Sequence, residues 1–165
     1  MLSLQQATIE NCSVINKLAS QIWEPTYGSI LSKEQLDYMF EMMYAPDNIR
    51  KQMEEQGHTY LILYADDVPS GYISIEQVEK DLFILQKIYL LPSKQGKGWG
   101  RFMVEQGFRY IKNLHPEPCK VMLYVNRENK ALGFYKALGL QIKDTRDYPI
   151  GHGFYMNDYI MEKDL

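Results

Sequence analysis

Residues 82–114, LFILQKIYLLPSKQGKGWGRFMVEQGFRYIKNL, change character twice. Leu82 to Leu91 is a nearly continuous apolar run of strand type, closed by Pro92. Gln95-Gly96-Lys97-Gly98-Trp99-Gly100 then makes a glycine-rich turn. Beyond it Trp99, Phe102, Met103, Gly107, Tyr110, Ile111 and Leu114 recur at the spacing of one helix face. The stretch reads as strand, glycine loop, helix, and the other elements are placed relative to it.

Glycines at alternate positions leave backbone N–H groups unshielded where a helix begins, and those first N–H groups have no partners within the helix. The helix dipole adds partial positive charge at the same end, so the turn suits a phosphate or pyrophosphate, with Lys97 and Arg101 beside it. A nucleoside-triphosphate loop would need G-x-x-x-x-G-K-[ST], but Gly98 follows Lys97 where a hydroxyl residue is required. A dinucleotide fingerprint counted from Gly96 would need glycine where Arg101 stands, after a strand that opens the fold.

Downstream, Pro116 and Pro118 force a break, and Val121-Met122-Leu123-Tyr124-Val125 has the composition of a strand covered on both faces. A short helix follows, with Asn129 as N-cap and Gly139 as its stop. Strands over about 141–148 and 154–161 close the chain around Pro149, Gly151 and Gly153. Upstream, 60–65 and 71–77 are β-branched and aromatic, separated by the turn-forming cluster 66–70, and predict a hairpin leading into Leu82. Before it the pattern predicts a first strand at 2–8 and a helix at about 10–23, ended by Pro25, Tyr27 and Gly28. A second helix is capped by Ser32 with Gln35 in capping-box spacing, and a third runs from Pro46 to about Gln56.

Two of these segments share one resemblance. Gln95, Gly98 and Gly100 match Q-x-x-G-x-G, and Ala131, Phe134, Tyr135 and Gly139 match, in order and spacing, the N-x-x-A-x-x-F-Y-x-x-x-G-F series, with Asn129 two residues before the alanine where the series has three and Leu140 at the last position. Together they resemble the acetyl-coenzyme-A loop and the following helix of the GNAT superfamily of N-acetyltransferases. That resemblance implies a single α/β (α+β) domain over 1–165, with a mixed, mostly antiparallel, twisted sheet flanked by helices. Its central parallel strands, 82–91 and 121–125, would splay apart. It implies acetyl-CoA as cosubstrate, held by Ile88, Tyr89 and Leu90, by Gln95 through Arg101 (Gln95, Gly96, Lys97, Gly98, Trp99, Gly100 and Arg101), and by Asn129, Phe134 and Tyr135. Tyr135 matches the family tyrosine that serves as general acid. The ending, His152-Gly153-Phe154-Tyr155-Met156 onward, is similar to bacterial members that acetylate polyamines or other small amines.

Direct transfer to a primary amine requires the amine to lose a proton and the departing thiolate to gain one. Many relatives carry a glutamate on the strand before the glycine loop, but Ile84, Leu85 and Gln86 occupy that stretch and none can take a proton. Glu76, Asp158 or a water chain remain as bases. The acceptor is expected between the N-terminal helices and the last strands, with Trp23, Tyr27 and Tyr38 around an alkyl ammonium and Asp144, Asp147 and Asp158 supplying opposite charge. A protein N-terminal or lysine acetyltransferase, and a non-catalytic acyl-CoA sensor, are the competing readings.

Composition narrows the classes. Of the residues 45% are apolar and 24% charged, as in a globular domain. The net charge of −3 argues against a nucleic-acid partner and is compatible with a cationic small molecule. No apolar run approaches the about 20 residues of a membrane span, and the start lacks a secretory pattern, so a cytoplasmic protein is expected. Two distant cysteines, Cys12 and Cys119, and three isolated histidines give no disulfide framework and no metal-ligand spacing. A homodimer is an expectation from the family alone.

Overall fold

The computed structural model, which describes residues 1–165, places Leu82–Leu90 at the centre of a seven-stranded sheet. In chain order the strands are β1 (Leu2–Gln6), β2 (His58–Ala65), β3 (Val68–Glu79), β4 (Leu82–Leu90), β5 (Lys120–Asn126), β6 (Gln141–Gly151) and β7 (Phe154–Asp164). The helices are α1 (Cys12–Tyr27), α2 (Lys33–Tyr44), α3 (Pro46–Glu54), α4 (Trp99–Leu114) and α5 (Leu132–Ala137). Strand order is β1-β2-β3-β4-β5-β7-β6, and every neighbouring pair is antiparallel except β4 with β5. This is the mixed, mostly antiparallel architecture the motifs imply.

The parallel seam is short. Register runs only from Leu82↔Lys120 to Leu85↔Leu123, after which the two strands part. A bulge explains where. Between Ser74 and Ile75 the β3–β4 register shifts, leaving Gln86 as the extra residue, and a bulged strand bends and twists more strongly. β4 stays paired with β3 as far as Gly71↔Leu90, so it is the β5 side of Gln86–Leu90 that is left open.

Alternation along the strands feeds two cores. One face, with Ile73, Phe83, Leu85, Val121 and Leu123, packs under Met103, Val104 and Ile111 of α4 and Tyr135 of α5. The other, with Tyr60, Ile62 and Tyr72, is covered by Ile15, Ile22 and Trp23 of α1, Tyr44 of α2 and Ile49 of α3. Burying each such side chain stabilises the fold by roughly 1.5–3 kcal/mol. β6 closes the sheet with its outer edge unpaired and most of both faces exposed.

Local signals mostly fall where the spacing puts them. Ser32 accepts from the Gln35 backbone N–H at 3.2 Å, the predicted cap of α2. Strands β2, β6 and β7 run longer than the pattern predicts, and three other boundaries differ for local reasons. Pro25 lies inside α1 rather than ending it: the carbonyl it deprives belongs to exposed Gln21, while buried Trp23 and Tyr27 hold the last turn against the sheet. The β2–β3 connection is only Asp66-Asp67, at φ 48° and 67°, so Val68, Pro69 and Ser70 belong to the strand. Asn129 precedes α5 by a turn, its Oδ1 accepting from the Ala131 backbone N–H at 2.8 Å.

Candidate active site

Where β4 and β5 part, a cleft of about 630 Å³ opens between the end of α1, the glycine loop and α5. Gly96 and Gly98 sit at φ 80° and 81°, a left-handed conformation that other residues adopt at a cost, and a Cβ on either would meet nothing within 4 Å. Gly98 is also the N-cap of α4 and supplies no side-chain cap, so the first N–H groups of that helix face the open cradle. Gly100 serves a different purpose: a Cβ there would stand 3.4 Å from the Phe134 ring, so its absence lets α5 close against α4. The Gln95 amide donates to the Leu90 carbonyl at 3.2 Å and ties the loop to the open end of β4.

Of the residues expected from the sequence, Ile88, Tyr89, Leu90, Gln95, Gly96, Gly98, Gly100, Arg101, Asn129, Phe134 and Tyr135 line this cleft. Lys97 and Trp99 do not; the Trp99 ring packs partly on the core beneath the ammonium groups of Lys97 and Lys94, at 5.3 and 5.5 Å. Sequence reasoning missed the opposite wall, Ile22, Pro25, Thr26 and Ser29. The signal for it was Pro25 itself, read as a helix stop when it marks the exposed last turn that borders the cleft.

At the floor of the splay three phenols converge. Tyr27 and Tyr89 hydroxyls are 2.8 Å apart, and Tyr135 shares with them a pocket of about 30 Å³, enough for one water, that Asn129 also lines. Burial pushes the pKa of all three upward, so each is protonated at neutral pH. Across the sheet face Asp158 of β7 is buried opposite Asn126, its Oδ2 accepting from Arg146 Nε at 3.0 Å. Glu76 lies beyond the bulge, engaged by the Gln86 amide at 2.9 Å and facing His58 Nε2 at 3.3 Å.

The expected aromatic box is arranged differently. Trp23 is 4% exposed and donates to the Leu36 carbonyl. Tyr38 donates to the Ile150 carbonyl at 2.7 Å and packs on His152 and Phe154, latching α2 to the β6–β7 tip. No group of three or more His, Cys, Asp or Glu is gathered that could hold a metal ion.

A model of the acetyltransferase (GNAT) domain matches residues 29–148. The chain belongs to the GNAT family. It is thus an acetyl-CoA-dependent N-acetyltransferase, and the open cradle and unpaired β4 edge fit that cosubstrate. A spermidine N(1)-acetyltransferase of Thermoplasma acidophilum is 23% identical over 98% of this GNAT chain and 96% of its own. Among solved structures, the paia N-acetyltransferase of Thermoplasma acidophilum in complex with coenzyme A superposes with a TM-score of 0.84 at 22% identity, covering 100% and 99% of the two chains. Mutant forms of the spermidine/spermine N-acetyltransferase SpeG of Vibrio cholerae superpose at 0.69 and 18% identity, covering 99% and 93%.

Proposed function

We propose that residues 1–165 act as one unit that acetylates a primary amine of a small cationic molecule, a polyamine being the best fit. The similarity to a spermidine N(1)-acetyltransferase along almost the whole length of both chains carries this reading. Support comes from the sheet face beside the splay, where a buried carboxylate and the Tyr89 ring are available to an incoming ammonium.

In this reading the N–H groups from Gln95 to Arg101 receive the pyrophosphate, and the unpaired backbone of Gln86–Leu90 meets the amides of the pantetheine arm. Acetyl-CoA, when bound, supplies the thioester acetyl group. Tyr135 stays protonated because burial raises its pKa, so it can give a proton to the departing sulfur. Tyr27 and Tyr89 fix the depth to which an acceptor can enter.

The test is kcat/KM for spermidine, a diamine, free amino acids and short peptides, measured side by side for wild type and Tyr135→Phe. Spermidine or the diamine should be preferred by at least tenfold, and Tyr135→Phe should lower kcat with little change in stability. A tenfold preference for peptide α-amines would replace the small-amine reading by a protein N-terminal one, and unchanged kcat in Tyr135→Phe would remove the acid role.

A further inference from the structure

Asp158 is the only carboxylate among the buried residues of the molecule. Burying a carboxylate costs free energy unless it is paired and hydrogen-bonded, and this one is only half satisfied. Oδ2 is held by Arg146, whereas Oδ1 has no protein partner and is not among the sealed, unsatisfied atoms, so it borders open space. Arg146 is itself fixed, its guanidinium 3.4 Å from the centroid of the Tyr124 ring and 4.8 Å from that of Tyr148. Register puts Asp158 opposite Asn126, at the end of β5 where the splay is wide, and its charge is felt at the Tyr27 phenol.

Among the other acids of the region, Glu128 stands on the cleft rim but is exposed, and the rest are engaged elsewhere. Asp147 pairs with Arg127, Asp144 bonds the Thr145 backbone N–H, and Glu76 is engaged beyond the bulge. A pair that served only to hold the hairpin would gain nothing from burial; the Arg127–Asp147 pair, which ties the same hairpin to the end of β5, has its carboxylate 62% exposed.

We propose that Asp158 is the catalytic carboxylate that receives the acceptor ammonium on Oδ1 and takes its proton, with Arg146 as the positioning residue that aims it. This rests on the amine-acetylating reading of the same site. Asp158 takes one proton from R–NH₃⁺ and passes it to solvent. The freed lone pair forms the N–C bond as the C–S bond breaks. Tyr135 gives its proton to the sulfur and regains one from the new amide nitrogen, so one proton is released overall.

Burial raises the Asp158 pKa above the ordinary carboxylate value, against the lowering by Arg146 and Arg127 and with Asp147 adding to the rise. Tyr27 of α1 is neutral and faces the same carboxylate. A base must be ionised, so activity falls as pH drops through this raised value. The same shift makes ionised Asp158 a destabilising group: the folded state holds its proton to higher pH than the unfolded chain, and stability is lost as pH rises through that window.

Asp158→Asn retains an acceptor for Arg146 and tests the assignment by three readouts. Expected at pH 7 are a thermal midpoint at or above wild type, a kcat at least 100-fold lower, and at least tenfold weaker binding of spermidine to the CoA-loaded protein. Acetyl-CoA affinity should stay within twofold, and Asp158→Glu should recover part of kcat with a displaced acidic limb. Wild-type kcat and spermidine affinity in Asp158→Asn would overturn the proposal, as would a large fall in thermal midpoint that Asp158→Glu reverses without restoring activity. If wild type prefers a glycine-initiated peptide, the small-amine reading falls, and the same comparison with that peptide decides Asp158. If wild type acetylates nothing, equal amine binding by both proteins refutes it.

Discussion

Lys87 shows how strongly a single buried charge shapes this molecule. It is 7% exposed, with its ammonium 3.0 Å from Gln52 Oε1 and above the rings of Tyr44 and Tyr60. Burial lowers its pKa from 10.5 to about 7, with Glu76 pulling weakly the other way. Between those values the unfolded chain binds a proton that the folded protein lacks, so stability rises with pH across the window. The cost is complete below about pH 7 and gone above 10.5. Lys87→Met is therefore expected to be more stable than wild type by roughly 2–4 kcal/mol at pH 7, with the gap narrowing by pH 9. Urea unfolding at both values checks it, and a gap independent of pH would mean that packing, not charge, decides. Lys87 could not be recognised from the sequence as a special group, and Asp158 stood there as one candidate base among several, with nothing to mark it as buried. Their burial is produced by α3 folding over β2 and by the β6–β7 hairpin crossing β5, contacts made between segments distant along the chain.

At the scale of elements, the glycine loop was fully legible because its signal is local. Three glycines, a preceding proline and a following 3.6-residue period specify strand, turn and helix without help from the remainder of the chain. Ser32 and Gly139 were legible for the same reason. The bulge at Gln86 was not, since nothing in Leu85-Gln86-Lys87 announces an extra residue; it exists only against the β3 register. Nor was the length of β6 and β7, which Tyr38 extends by anchoring the tip to α2. Gly98→Val tests the loop as a unit. A β-branched residue at φ 81° costs about 1–2 kcal/mol, and its side chain would enter the space left for the anion. Acetyl-CoA affinity should fall at least tenfold while far-UV circular dichroism is preserved; unchanged affinity would move the pyrophosphate site elsewhere.

Over the whole molecule, the cleft is bordered by both cores, by Ile22 from the α1 side and by Met103, Tyr135 and Leu138 from the α4–α5 side. A ligand seated there touches both layers and sits where the two halves of the sheet are paired only along the ladder from Leu82 to Leu85. Acetyl-CoA at 100 times its dissociation constant should stabilise the fold by about 2.7 kcal/mol and raise the thermal midpoint by roughly 2–5 °C. Scanning calorimetry with and without it would show one transition moving upward; two transitions moving independently would mean that the halves are not coupled through the cleft. The open side of β6 has a consequence of another kind. A strand of that length with free N–H and C=O groups is a template on which further chains can stack into fibrils. Here Lys143, Asp144, Arg146 and Asp147 would put charge against any such copy, Pro149 withholds a donor, and two register shifts break the flat ladder that stacking needs. The hairpin that buries Asp158 thus also carries features that discourage copies of the chain from stacking on its open edge.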